Sequence, residues 1–333
     1  MIIKPRFIPL IILILEALLR RLRKTHPKWQ LIADELAGRW AGYRGEQSID
    51  FYLHSLPEKE YHIFHDLNLP DGEYNCQIDT FLLTSKSGII IDVKNNKGKN
   101  LIDTDSEQLI QKVDGEEIPY PYPIFQVERH QRVLNSVLAE NNLPTLPLEY
   151  LVVFSNPNAI LSFVGRNGLK VMQHICKSPS ILHKIELFEN FHKQEKLDPK
   201  ELRKLDRLLL KLNTIPTKPV LKKFDIVQGD LLPGVHCPNC LHLPVQRKNQ
   251  NWYCPTCDTF VPDAHLYTIQ DYFLLYGPTI TNQQFREFAQ ISSPDLARRL
   301  LHSANLKYVG VNKARVYFPV EIPFIQPTNL RKN

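Results

Sequence analysis

The sequence predicts an α/β front domain, a mixed sheet with helices on either side, followed by a helical linker, a small metal-stapled ribbon and a compact helix–strand tail. Three observations carry this expectation. Between residues 32 and 155 the hydrophobic pattern reads helix, three strands, helix, strand. Two C-x-x-C pairs, Cys237/Cys240 and Cys254/Cys257, have 13 residues between them. Beyond residue 265 come short segments with helix caps and two strand-like runs.

At 333 residues the chain is long enough for two or three domains. Its apolar run at 7–15 (FIPLIILIL) is too short to span a bilayer, which takes about 20 residues. Pro9 interrupts it, Glu16 follows, and Arg20, Arg21, Arg23 and Lys24 come next with no small-residue cleavage site. Residues 1–37 are therefore expected to form an N-terminal helical extension packed on the protein; a membrane-surface anchor is the alternative. Four of the six cysteines fall in the two pairs, which indicates metal binding in a reducing, cytoplasmic setting rather than a disulfide framework. Cys76 and Cys176 read as ordinary half-buried thiols.

The front domain is expected over 38–164. Residues 32–55 repeat apolar positions at three- and four-residue steps, with Gly42 and Gly45 marking a break or a close contact. Residues 61–69 alternate as a strand, and Pro70-Asp71-Gly72 is a turn. QIDTFLLT (77–84) and GIIIDVK (88–94) are strands whose short connection implies an antiparallel hairpin. Residues 109–113 and 117–119 flank Asp114-Gly115 and read as a small surface excursion. Pro123 opens a helix to about Glu140, and residues 148–155 (LEYLVVFS) form a buried strand. Two helices, opened by Ser178-Pro179 and by Asp198-Pro199 with Glu201, make 165–225 a helical linker segment, and its Pro- and Lys-bearing stretch 216–223 is the best candidate for the linker itself.

Charge is segregated. Residues 1–30 carry 7 basic and 1 acidic side chain, residues 42–165 carry 9 and 18, residues 166–231 carry 14 and 8, and residues 232–333 carry 10 and 6. An acidic middle repels nucleic acid unless a cation compensates, whereas basic flanks can hold phosphates.

Within the acidic block, Asp79 interrupts an apolar strand, and Asp92 and Lys94 end the next one. Residues two apart on a strand share a face, so Asp92 and Lys94 point the same way, and the hairpin can bring Asp79 beside them. Two carboxylates in that place suit a Mg²⁺-type ion, and the lysine can hold or deprotonate water and steady phosphate charge. Tyr43-Arg44-Gly45-Glu46, Gln77-Ile78-Asp79, Ile91-Asp92-Val93-Lys94-Asn95 and the helix carrying Gln126 resemble the nuclease-related domain (NERD), a family placed in the PD-(D/E)xK nuclease superfamily. The resemblance covers roughly 38–160. It implies a restriction-endonuclease-like mixed sheet, with Glu46, Asp79 and Asp92 as Mg²⁺ or Mn²⁺ ligands and Lys94 as the catalytic lysine. Gln126, and His130 one turn on, would line the same pocket. The family usually has Glu in the place of Asp92, whose side chain is one methylene shorter.

The cysteine pairs predict a structural zinc site in a ribbon at 232–262, because two C-x-x-C turns present four thiolates to one tetrahedral ion. In the tail, 265–333, Thr281 and Ser293 are placed to cap two helices, and strands at 307–309 and 315–318 would form a wing. This layout resembles a winged helix-turn-helix, with Arg298, Arg299, Lys313 and Arg315 as nucleic-acid contacts. The expected function is metal-dependent DNA phosphodiester hydrolysis, with DNA as the expected partner and RNA left open. The alternatives are a nuclease fold that binds nucleic acid or regulates without cutting, and an interaction adaptor.

Overall fold

A computed structural model describes residues 1–215 and 219–320. The chain divides into two compact units, Met1–Ile8 with Arg39–Pro216, and Pro9–Gly38 with Thr217–Asn333. In chain order the first elements are β1 (Ile2–Lys4), α1 (Leu10–Arg21), which belongs to the second unit, and α2 (Trp29–Leu53), whose residues from Arg39 on belong to the first.

The first unit continues with β2 (His62–Asp71), β3 (Tyr74–Leu83), β4 (Gly88–Lys94), β5 (Gly98–Asp103), β6 (Gln108–Val113) and β7 (Glu116–Pro121). After α3 (Pro123–Glu140) come β8 (Leu148–Phe154), β9 (Ala159–Val164), α4 (Gly168–Met172), β10 (Ile175–Lys177), α5 (Ile181–Phe191) and α6 (Pro199–Leu212). Six strands form a mixed sheet in the order β1-β2-β3-β4-β8-β10. The β2–β3–β4 meander is antiparallel, while β1 joins β2, β8 joins β4 and β10 joins β8 in parallel. Both faces are covered, which explains the near-continuous apolar run of β4. Ile124, Val127 and Leu134 of α3, with Leu205 and Leu209 of α6, pack with Phe64, Phe81 and Ile90 in one buried cluster. Ile49 and Leu53 of α2, with Ile181 and Ile185 of α5, pack with Leu82, Ile89 and Leu151 in another.

The expected helix, three strands, helix and strand are all present, and α3 opens at Pro123 with its proline in the first turn. Gly42 and Gly45 do not break α2. Gly45 is instead a close contact, since a Cβ there would lie 2.7 Å from Asn95 Cβ and 2.8 Å from Ser155 Oγ. The surface excursion is more than that: β6 and β7 belong to a second sheet, β7-β6-β5-β9. Polar Lys99, Asn100 and Asp103 mask the β5 strand in the sequence. Residues 165–225 also differ from a linker. β10 completes the main sheet, α5 and α6 cover its faces, and Asp198 and Glu201 form the reciprocal cap expected of α6. The proposed linker 216–223 falls partly outside the described residues, at 216–218. Cys76 and Cys176 are fully buried rather than half-buried.

In the second unit α1 starts after Pro9 and buries Ile12, Leu13, Ile14, Leu15 and Leu18, whereas Ile2–Lys4 ahead of it is a strand. Among the described residues no helix is long and apolar enough to cross a membrane. The short helix α7 (Val220–Lys223) precedes a three-stranded antiparallel ribbon, β11 (Gln246–Lys248), β12 (Asn251–Cys254) and β13 (Thr259–Phe260). Then follow α8 (Ala264–Tyr276), β14 (Ile280–Thr281), α9 (Asn282–Ala289), α10 (Pro294–Ser303), β15 (Lys307–Val309) and β16 (Val316–Phe318). Thr281 and Ser293 cap α9 and α10 as expected, accepting from the Gln284 and Leu296 amides. β14 adds an unforeseen strand beside β16. Trp252 and Val261 of the ribbon share one core with Ile269, Phe285, Leu301 and Tyr317 of the tail.

Candidate carboxylate–lysine site and four-thiol metal centre

The β3–β4 register sets Thr80 opposite Ile91, which places Asp79 across from Asp92. Asp79 Oδ2 accepts the Val93 amide at 2.8 Å. Asp92 is 1 % exposed, and its Oδ1 has no hydrogen-bond partner. Its neighbour is the Lys94 ammonium, 2.8 Å from Oδ2. Lys94 also donates to Gln126 Oε1 at 2.8 Å, so strand β4 and helix α3 hold the amine from two sides. Burial disfavours charge on Lys94, but Asp92 and Asp79 outweigh it and raise its pKa, which keeps it protonated. His130, one turn beyond Gln126, is buried with Nδ1 unpartnered, and burial pushes it down to about 4.

Helix α2 delivers Glu46 and Asp50 one turn apart to the same neighbourhood. There they meet a residue that spacing did not reveal, Arg6. Its guanidinium donates to Glu46 Oε2 at 2.7 Å and grips both Asp50 oxygens at 3.0 and 3.1 Å. It also reaches Thr80 Oγ1 and His65 Nδ1, each at 2.9 Å. The carboxyls repel one another across this site. Burial and Asp79 push Glu46 up to about 9 despite Arg6, and burial and Asp92 push Asp79 up to about 7. Glu46, Asp79, Asp92, Lys94 and Gln126 are thus neighbours, but the three acids are not gathered as tightly as the thiols described below. Among the described residues, only the four cysteines bring three or more ligand atoms within 4.8 Å of one another.

Residues 41–155 match the sequence model of the nuclease-related domain. No curated protein and no solved structure matches the chain. The matched segment contains every acid expected of the nuclease-related domain, with Lys94 and Gln126, whereas Arg6 comes from outside it. Nothing in the sequence pairs Arg6 with Glu46, because the two stand 40 residues apart and meet only once the chain is folded.

The second centre lies in the ribbon. Cys237 Sγ is 3.9 Å from Cys257 Sγ, and Cys240 Sγ is 3.5 Å from Cys254 Sγ. A tetrahedral ion with metal–sulfur bonds of about 2.3 Å requires sulfur–sulfur edges of about 3.8 Å, so the four thiols fit a metal such as zinc. Backbone amides turn toward the sulfurs, as the Cys257 N–H does to Cys254 Sγ at 3.4 Å. In the tail, Arg298, Arg299 and Lys313 are exposed, and Arg315 is half-buried with its Cζ 4.4 Å from the Tyr308 ring centroid.

Proposed function

We propose that the chain is a divalent-metal-dependent DNA phosphodiesterase, with Asp79, Asp92 and Lys94 at its hydrolytic centre and Glu46 and Gln126 around them. The observation that carries this reading is Asp92, a buried carboxylate paired with Lys94 through Oδ2 and without a partner at Oδ1, set beside a second buried carboxylate, Asp79. Burying two carboxylates side by side is costly unless each is paired or coordinates a metal, and the single Lys94 ammonium cannot pair both. An all-oxygen donor set suits Mg²⁺ or Mn²⁺, held by Asp79 and Asp92 with Glu46 as the third acid. When bound, the ion supplies Lewis acidity toward a phosphate oxygen and a more acidic water. Lys94 keeps its proton, so it serves as a donor that orients water and offsets phosphate charge rather than as a base. Gln126 takes one of its N–H groups and aims the others.

The four thiols are read as a structural zinc site, since protein ligands fill all four positions. Arg298 and Arg299 on α10, with Lys313 and Arg315 between β15 and β16, are read as phosphate contacts of a winged helix-turn-helix. The test is to incubate the full chain with Mg²⁺ or Mn²⁺ and labelled single-stranded, duplex and branched DNA, alongside an RNA. Metal-dependent cleavage is expected, falling about 100-fold or more in Asp79→Asn. Intact DNA, or an Asp79→Asn protein that cuts as well as wild type, overturns it.

One observation favours a second reading, a nuclease fold that binds nucleic acid or regulates without cutting: Glu46 is engaged by Arg6. That reading expects salt-sensitive DNA binding indifferent to changes at Asp92 and Lys94.

A further inference from the structure

We propose that the outer face of the ribbon binds single-stranded DNA, stacking unpaired bases on Phe260 and Tyr253 and holding their phosphates with Lys248, Arg247 and Arg299. The face stands on its own observations, and only the choice of DNA rests on the function proposed above.

Strand alternation sorts the side chains of the ribbon. Tyr253 of β12 lies opposite Gln246 of β11 and Phe260 of β13, so these three share a face, and Lys248, two residues from Gln246, shares it too. Trp252 points the other way, 4 % exposed, into the core shared with the tail. The outer face therefore carries a pair of rings. Phe260 is 51 % exposed and meets Tyr253 with centroids 5.6 Å apart and planes at 61°. Cys254 and Cys257, two of the four thiols, stand between the rings in the chain, so a bound metal fixes the turn that sets them side by side. Asp258 accepts from the Tyr253 hydroxyl and holds that ring by its rim.

The cations are placed for an anion that the ribbon does not supply. Lys248 Nζ lies 3.7 Å from the Tyr253 ring centroid, and Arg247 Cζ lies 4.8 Å from that of Trp252. Both side chains are exposed, and among the described residues neither forms an ion pair. Burial, and after it the charge of Arg299 on α10, holds Arg247 below the ordinary guanidinium value, so the ribbon and α10 bring like charges together. Such a patch favours a polyanion. A duplex is a polyanion but hides the faces of its bases, and an acidic peptide has no bases at all. A single strand satisfies both the rings and the cations.

The experiment measures fluorescence anisotropy with the full, zinc-loaded chain and no added Mg²⁺ or Mn²⁺. The probes are a labelled thymidine oligomer of about 12 nucleotides, an abasic strand, a duplex and a uridine oligomer of the same length. Wild type is expected to hold the thymidine oligomer at least about fivefold more tightly than the abasic strand, the effect of one stacked base. Phe260→Ala is expected to remove that preference and Phe260→Tyr to keep it. Phe191→Ala, which removes an exposed ring of the first unit, is expected to leave binding unchanged. Lys248→Ala is expected to lower the slope of log affinity against log salt by about 0.7. Equal binding of thymidine and abasic strands by wild type overturns the proposal without recourse to any variant. So does Phe260→Ala if it binds the thymidine oligomer within about twofold of wild type, or if it weakens the duplex as much. A uridine oligomer held about tenfold more tightly overturns the choice of DNA. Because no divalent ion is added, failure here leaves the hydrolytic reading standing, and failure of that reading leaves this face standing.

Discussion

Two buried arginine clusters, one in each unit, differ in a way that separates support from chemistry. In the second unit Arg21 is 0 % exposed and donates to Asp271 Oδ2 at 2.9 Å and to the Leu232 and Gly234 carbonyls at 3.2 Å. Its guanidinium lies 4.0 Å from the Phe288 ring centroid. Arg20 shares Asp271 and is balanced further by Glu16. Burial works against the Asp271 charge, yet Arg20 and Arg21 outweigh it and hold its pKa below the usual range. Burial keeps His236 neutral, pushed down to about 3. Two cations therefore meet two anions, and the Asp271 oxygens are engaged. In the first unit Arg6 is held as firmly, but the acids outnumber the cations and Asp92 Oδ1 stands without a partner. A balanced cluster holds a fold together, whereas an unbalanced one is poised for a ligand.

The largest expected effect breaks the balanced cluster. Asp271→Asn leaves Arg20 and Arg21 buried against a neutral amide, and removing one partner of such a pair typically costs about 3–5 kcal/mol. Urea unfolding followed by circular dichroism measures it. A loss under about 1 kcal/mol would mean that the two arginines find water or other acceptors, and the comparison would fail on this side.

The same kind of substitution in the unbalanced cluster is expected to act with the opposite sign. Asp79→Asn keeps an oxygen for the Val93 amide while removing one of the repelling charges. Without divalent ions, and above pH 7, the variant is expected to be more stable than wild type by at least about 1 kcal/mol. The sign follows from linkage. The folded Asp79 pKa, about 7, lies above its unfolded value near 3.8, so the folded state binds more protons between those limits. Wild-type stability from this group is present below the unfolded pKa and lost as pH rises through about 7. The advantage of the variant should therefore be full above pH 7 and vanish near pH 4. A stability loss on Asp79→Asn at pH 8 would show that the acids are already compensated within the chain.

What could be read from the sequence follows the range of the interactions. The β3–β4 hairpin and the C-x-x-C turns were legible because spacing of a few residues fixes their geometry, and the structure sets Asp79 across from Asp92 and gathers Cys237, Cys240, Cys254 and Cys257. The caps at Thr281, Ser293 and Asp198 are equally local. Arg6 and Arg21 were not legible. Each sits in a basic stretch that reads as solvated surface, and each meets its carboxylates only through tertiary pairing, 40 residues away for Glu46 and 250 for Asp271. β5 and β9 escaped for a related reason, since they pair in parallel across 61 residues, from Gly98 to Ala159, with no turn to announce them.

The smallest expected effect gauges the comparison without touching either cluster. β11 and β12 are joined by Asn249 and Gln250, at φ 47° and 61°. Two consecutive residues with positive φ make the tight hairpin turn that favours Asn-Gly, because its twist matches that of the strands. Asn249 suits its place, but Gln250 holds a Cβ in a region that costs a non-glycine residue about 1 kcal/mol. Gln250 is exposed, so its replacement removes little packing. Gln250→Gly relieves that strain and gives back part of the gain through the freer unfolded chain, leaving a net stabilisation of about 0.5 kcal/mol. Urea unfolding reads it on the same scale as Asp271→Asn. If a turn substitution of this kind moved stability as far as the loss of Asp271, the second unit would be responding to any local change, and its buried ion pairs would lose their claim to hold it together.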